Sequence, residues 1–191
     1  MTRKCGARAV AAFVLAGLVA LAMAGFAPGG ARAQDTGAQD TGAPARAAQE
    51  RGAVTNLPLP RFVSLKGSQG NARRGPGLAH RIDWVFLHPG LPLMVTAEFE
   101  HWRRVEDAEG KGGWVHYALL SGTRTALVTA PDAVLRADPN PAATVIARAE
   151  PGAIVSLREC TPEWCRAAAG RIDGWIVRGA LWGLLPGEIL D

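Results

Sequence analysis

His101–Leu120, HWRRVEDAEGKGGWVHYALL, is the stretch that decides the fold. It reads as a short strand at Trp102–Val105, a turn rich in charge and glycine at Glu106–Gly113, a second strand at Trp114–His116 and a single helical turn at Tyr117–Leu120. Aromatic and β-branched residues flanking such a turn are the signature of a β-hairpin. A shorter version follows at Glu163–Leu181, EWCRAAAGRIDGWIVRGAL.

Working outward, residues 61–185 read as two copies of one unit. Asn71-Ala72-Arg73-Arg74-Gly75-Pro76 answers Val134-Leu135-Arg136-Ala137-Asp138-Pro139, and His88-Pro89-Gly90 answers Glu150-Pro151-Gly152. Trp102-Arg103-Arg104-Val105 answers Trp164-Cys165-Arg166-Ala167, Gly113-Trp114-Val115 answers Gly174-Trp175-Ile176, and Leu120 answers Leu181. The offsets are 63, 62, 62, 61 and 61 residues. Between the matches, short alternating apolar runs are broken by Gly, Pro, Asn and Asp, and none holds a helical period beyond two turns. The pattern predicts an all-β chain. The expected units are residues 61–124 and 125–185, each sized for one small barrel and marginal alone.

The first 33 residues read as a secretory signal peptide. Arg3, Lys4 and Arg8 precede an uncharged apolar run, Ala9–Ala24, and Ala31-Arg32-Ala33 offers small residues for cleavage before Gln34. The competing reading is a membrane anchor, against which the run is short of the roughly 20 residues a bilayer needs. Residues 34–60, with the repeat QDTGAQDTGA and almost no large apolar side chains, are expected to form a disordered linker. Of the net charge of +4, all comes from Arg3, Lys4, Arg8 and Arg32; the remainder carries 17 basic and 17 acidic residues. That balance withdraws nucleic acid as a partner, and no transmembrane segment is expected in the mature chain. The expected location is the periplasm or another exported compartment.

Cys160 and Cys165 remain after cleavage, in an oxidising compartment. The four residues between them fit a cross-strand disulfide over the turn Thr161-Pro162-Glu163-Trp164. A metal reading lacks ligands, since His80, His88, His101 and His116 lie far upstream without zinc-like spacing. No nucleophile, metalloprotease or phosphate-cradling motif is present, so neither catalytic residues nor a cofactor are expected.

The order of an N-x-R-x-G-P turn, a P-G turn, W-x-x-V and G-W-V-H with a terminal leucine resembles bacterial SH3-like (SH3b) domains, over two units from Phe62 to Trp182. Glu159-Cys160-Thr161-Pro162-Glu163-Trp164-Cys165-Arg166 resembles the second-unit hairpin of exported tandem SH3-like proteins. The resemblance implies two partly open β-barrels, each ending in a helical turn. It also implies a non-catalytic binding module whose partner is peptidoglycan, its peptides or another peptide or protein ligand. A scaffold for a folded envelope protein is the alternative.

Strand alternation then places the candidate site. With Val105 and Val115 inside, Trp102, Trp114 and His116 share the outer face of the first unit. With Ile176 inside, Trp175 is outside, and Trp164 answers Trp102. These five residues are the expected ligand surface. The competing reading has the tryptophans cover the gap between the units or cap their ends, with Trp84 and Trp182 as candidates for packing between units. Arg73, Arg136, Arg104 and Arg166 are either structural forks on loop carbonyls and carboxylates or readers of a ligand carboxylate.

Overall fold

The structure is a computed structural model that describes residues 50–191. The expected signal peptide, its cleavage site before Gln34 and residues 34–49 of the expected linker lie outside the described residues.

Alternation of apolar and polar residues between glycine and proline turns produces strands throughout. The first sheet contains β1 (Arg61–Leu65), β2 (Gly70–Arg73), β3 (Ile82–Phe86), β4 (Pro92–Phe99), β5 (Trp102–Glu106), β6 (Gly112–His116) and β7 (Leu120–Ser121). The second contains β8 (Thr125–Val128), β9 (Ala133–Arg136), β10 (Val145–Ala149), β11 (Ile154–Cys160), β12 (Trp164–Ala169), β13 (Ile172–Val177) and β14 (Leu181–Trp182). The strand orders are β3-β2-β6-β5-β4-β1-β7 and β10-β9-β13-β12-β11-β8-β14, so the second sheet repeats the connectivity of the first. A 3-10 turn precedes the last strand of each, at Tyr117–Leu119 and Arg178–Ala180. The described residues are all-β, two small barrels in tandem with the connectivity that the resemblance implies.

Each barrel has its own core. Leu65, Leu93, Val95, Val105 and Val115 fill the first, and Val128, Leu135, Val155, Leu157 and Ile176 fill the second. The longest strand of each sheet carries a bulge at the matching place, between Val95 and Ala97 in β4 and between Leu157 and Glu159 in β11. A bulge adds one residue and bends the strand. Just beyond it the next inward cross-strand pair is Glu98 with Arg103 in the first barrel and Cys160 with Cys165 in the second. Cys160 and Cys165 are disulfide-bonded with a Cα separation of 4.1 Å, as their spacing predicts.

Glu98 corrects the expectation of a disordered linker to residue 60. Its carboxylate, fully covered, accepts from the backbone N–H of Val54 (3.0 Å) and Thr55 (2.8 Å), from Thr55 Oγ1 (2.7 Å) and from Arg61 Nη2 (2.6 Å). Arg103 Nε lies 3.4 Å away. Residues 50–60 are thereby docked on the first barrel, with Leu59 buried in its core. Charge-assisted hydrogen bonds to one buried anion, with Leu59 in the core, order this segment, which the low apolar content of residues 34–60 taken together does not predict.

The second barrel holds a segment at the corresponding place. Cys160 N donates to Leu190 O (2.9 Å) and Leu190 N to Cys160 O (3.2 Å). Arg124 pairs with Glu188 and donates to Gly183 O (2.9 Å), and Arg178 Nη2 donates to Leu185 O (2.5 Å). The expected boundary at residue 185 therefore falls short of the docked chain.

The barrels touch. Trp182 meets Phe62 edge-on with ring centroids 5.0 Å apart, and Thr125 Oγ1 donates to Gly90 O at 2.7 Å. Trp182 packs between units as expected. Trp84 does not; it lies on β3, 40% exposed, lining a cleft of its own barrel with Leu87 and His88.

Candidate functional site

The β5–β6 hairpin is held by its turn. Asp107 Oδ1 accepts from the N–H of Glu109 (2.9 Å) and Lys111 (2.8 Å), and Gly110 takes a positive φ of 74°. Short polar side chains and glycine stabilise such turns. The register then pairs Trp102 with His116 and Arg104 with Trp114 on one face, and Arg103 with Val115 on the other. Val105 and Val115 are fully buried, so Trp102, Arg104, Trp114 and His116 form a row facing away from the core.

Their exposure differs. Trp102 faces outward yet is only 8% exposed, with His116 meeting its ring edge-on at 5.5 Å. His116 also stacks near His101 (6.0 Å) and Tyr117 (5.0 Å). Its Nδ1 accepts from Ala118 N at 3.3 Å, capping the 3-10 turn and leaving Nε2 to carry the proton in the neutral ring. Trp114 and His116 are partly exposed. In the second barrel Arg166 pairs with Trp175 and Trp164 with Val177, so Val177 stands in the place of His116. Trp175 is partly exposed, whereas Trp164 is 7% exposed.

Two concave features border this face. In the first barrel a polar cleft of about 320 Å³ is lined by Arg73, Arg74, Asp83, Arg104, Glu106 and Trp114. Arg73 Nη1 donates to Leu78 O (3.1 Å) and His80 O (2.6 Å). Hydrogen bonds from Arg74 hold the Asp83 carboxyl below its usual range, against a smaller opposing push from burial; Arg81 adds to the lowering. Arg104 is 57% exposed, and the one carboxylate within 4.0 Å of it among the described residues is Glu106. In the second barrel Arg136 donates to Ala143 O at 2.7 Å, and Arg166 Nε donates to Asp173 Oδ1 at 2.7 Å, which raises the Arg166 pKa. Arg73, Arg136 and Arg166 thus act as structural forks, and Arg104 is the least engaged of the four.

The other feature is an apolar groove of about 590 Å³ on the second barrel. Pro162, Trp164, Val177, Leu184, Leu185 and Pro186 line it. The Cys160–Cys165 hairpin supplies one wall and the docked C-terminal segment supplies another. Sequence reasoning placed Trp164 at a site but missed this segment, whose Leu184-Leu185-Pro186 shows no strand period. Glu98 was also missed as an anchor, and a lone glutamate in an alternating strand offered no signal for it.

Among the described residues no cluster of three or more His, Cys, Asp or Glu side chains is arranged to hold a metal ion, and no helix is long and apolar enough to cross a membrane.

Comparison with known protein families agrees with this architecture. The bacterial SH3 domain family model matches twice, at residues 66–122 and 129–183. No curated protein matches the chain. Among solved structures, it is similar to NlpC2 from Trichomonas vaginalis at 15% identity, covering 64% of this chain and 48% of that one, with a TM-score of 0.30. It is likewise similar to NlpC1 from Trichomonas vaginalis at 14% identity, covering 69% and 48%, with a TM-score of 0.31. The chain spans about half the length of these two structures. With the two matches covering β2–β7 and β9–β14, more than half of the chain, the chain belongs to the bacterial SH3 domain family, in two tandem copies.

Proposed function

We propose that this protein is a non-enzymatic tandem binding module of the cell envelope, exported to the periplasm, whose ligand is peptidoglycan or its peptides. The observation that supports the reading is Trp114. It stands partly open on the outer sheet face, in register with Arg104, as one wall of a cleft that three arginines enter. An aromatic ring with cationic donors beside it is suited to a flat or apolar group carrying negative charge. Trp102, His116, Trp164 and Trp175 belong to the same ligand surface in this proposal, with the two covered tryptophans supporting the faces of the partly open ones.

Sedimentation with purified sacculi tests it. Trp114→Ala abolishes co-sedimentation while changing stability by less than about 1 kcal/mol, the usual range for surface positions. Equal pelleting of wild type and variant rejects the assignment of that face.

The apolar groove beside Trp164 favours a second reading, a scaffold that holds an envelope protein. A pulldown from periplasmic extract separates the two: capture that survives wall hydrolase supports the scaffold, and capture lost with the wall supports the first reading.

A further inference from the structure

We infer that the cleft beside β5 and β6 in the first barrel is a carboxylate-binding site, with Arg104 as its principal donor and Trp114 as its wall. The inference rests on the reading of this face as a ligand surface, and it names the chemistry of the ligand there.

The second barrel contains the occupied form of the same site. Asp173 pairs across β12–β13 with Ala168, on the face that carries Arg166 and Trp175. Its Oδ1 accepts from Arg166 Nε at 2.7 Å, and its Oδ2 lies 3.3 Å from Arg158 Nε. In the first barrel Gly112 pairs with Glu106 at the register position of Asp173, Arg104 stands where Arg166 does, and Trp114 where Trp175 does. The residue that fills the second site with a carboxylate is therefore a glycine in the first, and the cleft of about 320 Å³ opens there.

The backbone keeps it open. A Cβ on Gly112 would meet Val105 O at 1.9 Å, so no other residue fits without moving the hairpin.

The charges that face the cleft leave it positive. Arg73, Arg74 and Arg104 line it against Asp83 and Glu106. Asp83 is already held by Arg74 (3.0 Å) and Arg81 (2.6 Å), and Glu106 reaches Arg104 only at 4.0 Å. A ligand carboxylate set where Asp173 lies in the copy takes charge-assisted hydrogen bonds from the Arg104 guanidinium. The group attached to it then lies along the Trp114 indole. The C-terminus of a short peptide and a sugar acid both present this chemistry.

Nuclear magnetic resonance titration of the isotope-labelled protein tests the site. The probes are N-acetyl-alanyl-alanine as free acid and as C-terminal amide, and N-acetylmuramic acid against N-acetylglucosamine. At least one acid saturates with shifts at the Trp114 indole and the Arg104 guanidinium, and which one does so identifies the source. Its uncharged counterpart binds at least about tenfold more weakly, the factor expected for one lost charge-assisted bond. Arg104→Gln, at an exposed position that leaves the fold intact, loses the same factor. Asp173→Ala frees Arg166 and gains a second site, reported by shifts at Trp175. Absent shifts, equal binding of charged and uncharged probes, an unchanged Arg104→Gln or no second site in Asp173→Ala each overturn the assignment. Saturating titrations without sacculus retention keep the site and reject the wall ligand; retention without charge dependence does the reverse.

Discussion

Trp102 and Trp114 share a sheet face and differ in cover. Trp102 is capped by the His116 ring and buried, so its truncation leaves a void where aromatic surface was packed. Trp102→Ala is expected to cost about 3 kcal/mol in denaturant unfolding, near the usual figure for a buried aromatic; a loss as small as that of Trp114→Ala would show that the cap does not hold. Glu98 makes a sharper prediction. Burial alone pushes its carboxyl up, but the hydrogen bonds from Thr55, Arg61 and Val54 outweigh burial and hold it at about 2, against an ordinary 4.5. A carboxyl depressed in the folded state contributes stability above its unfolded value and loses it as pH falls through the folded one. Stability should therefore drop by on the order of 3 kcal/mol between pH 4.5 and about 2 on account of this group. Asp83 and Glu188, also lowered, add to the acid sensitivity of the wild type, so the difference from Glu98→Gln isolates Glu98. Denaturant midpoints across that range should fall less steeply in the variant, and parallel curves would remove Glu98 from the account.

The two β-hairpins that follow the bulges solve one problem in two ways. Beyond each bulge an inward-facing pair must close the barrel end, and the first barrel uses an ion pair, Glu98–Arg103, where the second uses a disulfide, Cys160–Cys165. The ion pair is tolerated because Glu98 is satisfied by four donors from residues 54–61, so the anchor and the docked segment depend on each other. In the second barrel the bridge fixes the strand that pairs with Leu190. Replacing both cysteines by alanine is expected to cost about 2 kcal/mol, the loop-entropy estimate for so short a loop, and to speed hydrogen exchange at the Leu190 amide. Unaltered exchange there would show that Arg124 and Arg178 hold the segment without the bridge. The hairpins, the duplication and the disulfide were legible because each depends on residues close in sequence: a turn, an alternation of two, a gap of four. The offset of 62 residues that sets Arg103 against Cys165 also sets Glu98 against Cys160, but the residue types differ, so their shared place as a cross-strand pair shows only in the sheet register. The docking of residues 50–60 was hidden for a related reason. Two backbone N–H groups, which every sequence has, order it together with the Thr55 hydroxyl and the Arg61 guanidinium, all on a carboxylate some forty residues away. Trp102 was placed on the correct face by alternation, which gives direction and not cover.

At the scale of the molecule, the question is whether the two barrels unfold as one. Each is near the size at which a domain is marginal by itself. Only residues 122–124 separate β7 from β8, so the partner barrel is always at high effective concentration. Their contact is small but specific. Phe62, buried on β1, receives Trp182 edge-on, a geometry worth about 1 kcal/mol beyond the area it covers. Thr125 adds a hydrogen bond to Gly90 at the tip of the turn before β4. Trp182 stands in the strand position that Ser121 holds in the first barrel, pairing with Leu127 as Ser121 pairs with Ser64. Of the two copies of this position the second carries the aromatic, and it meets Phe62 of the other barrel. Marginal barrels joined by a short connection need little coupling to melt together, so calorimetry of the wild type should show a single transition. Trp182→Ala removes the ring contact, and the melt should then separate into two transitions, the one assigned to the second barrel shifting with reductant because only it contains the disulfide. Two transitions in the wild type, or one undivided transition in the variant, would show that cooperativity does not pass through Phe62 and Trp182.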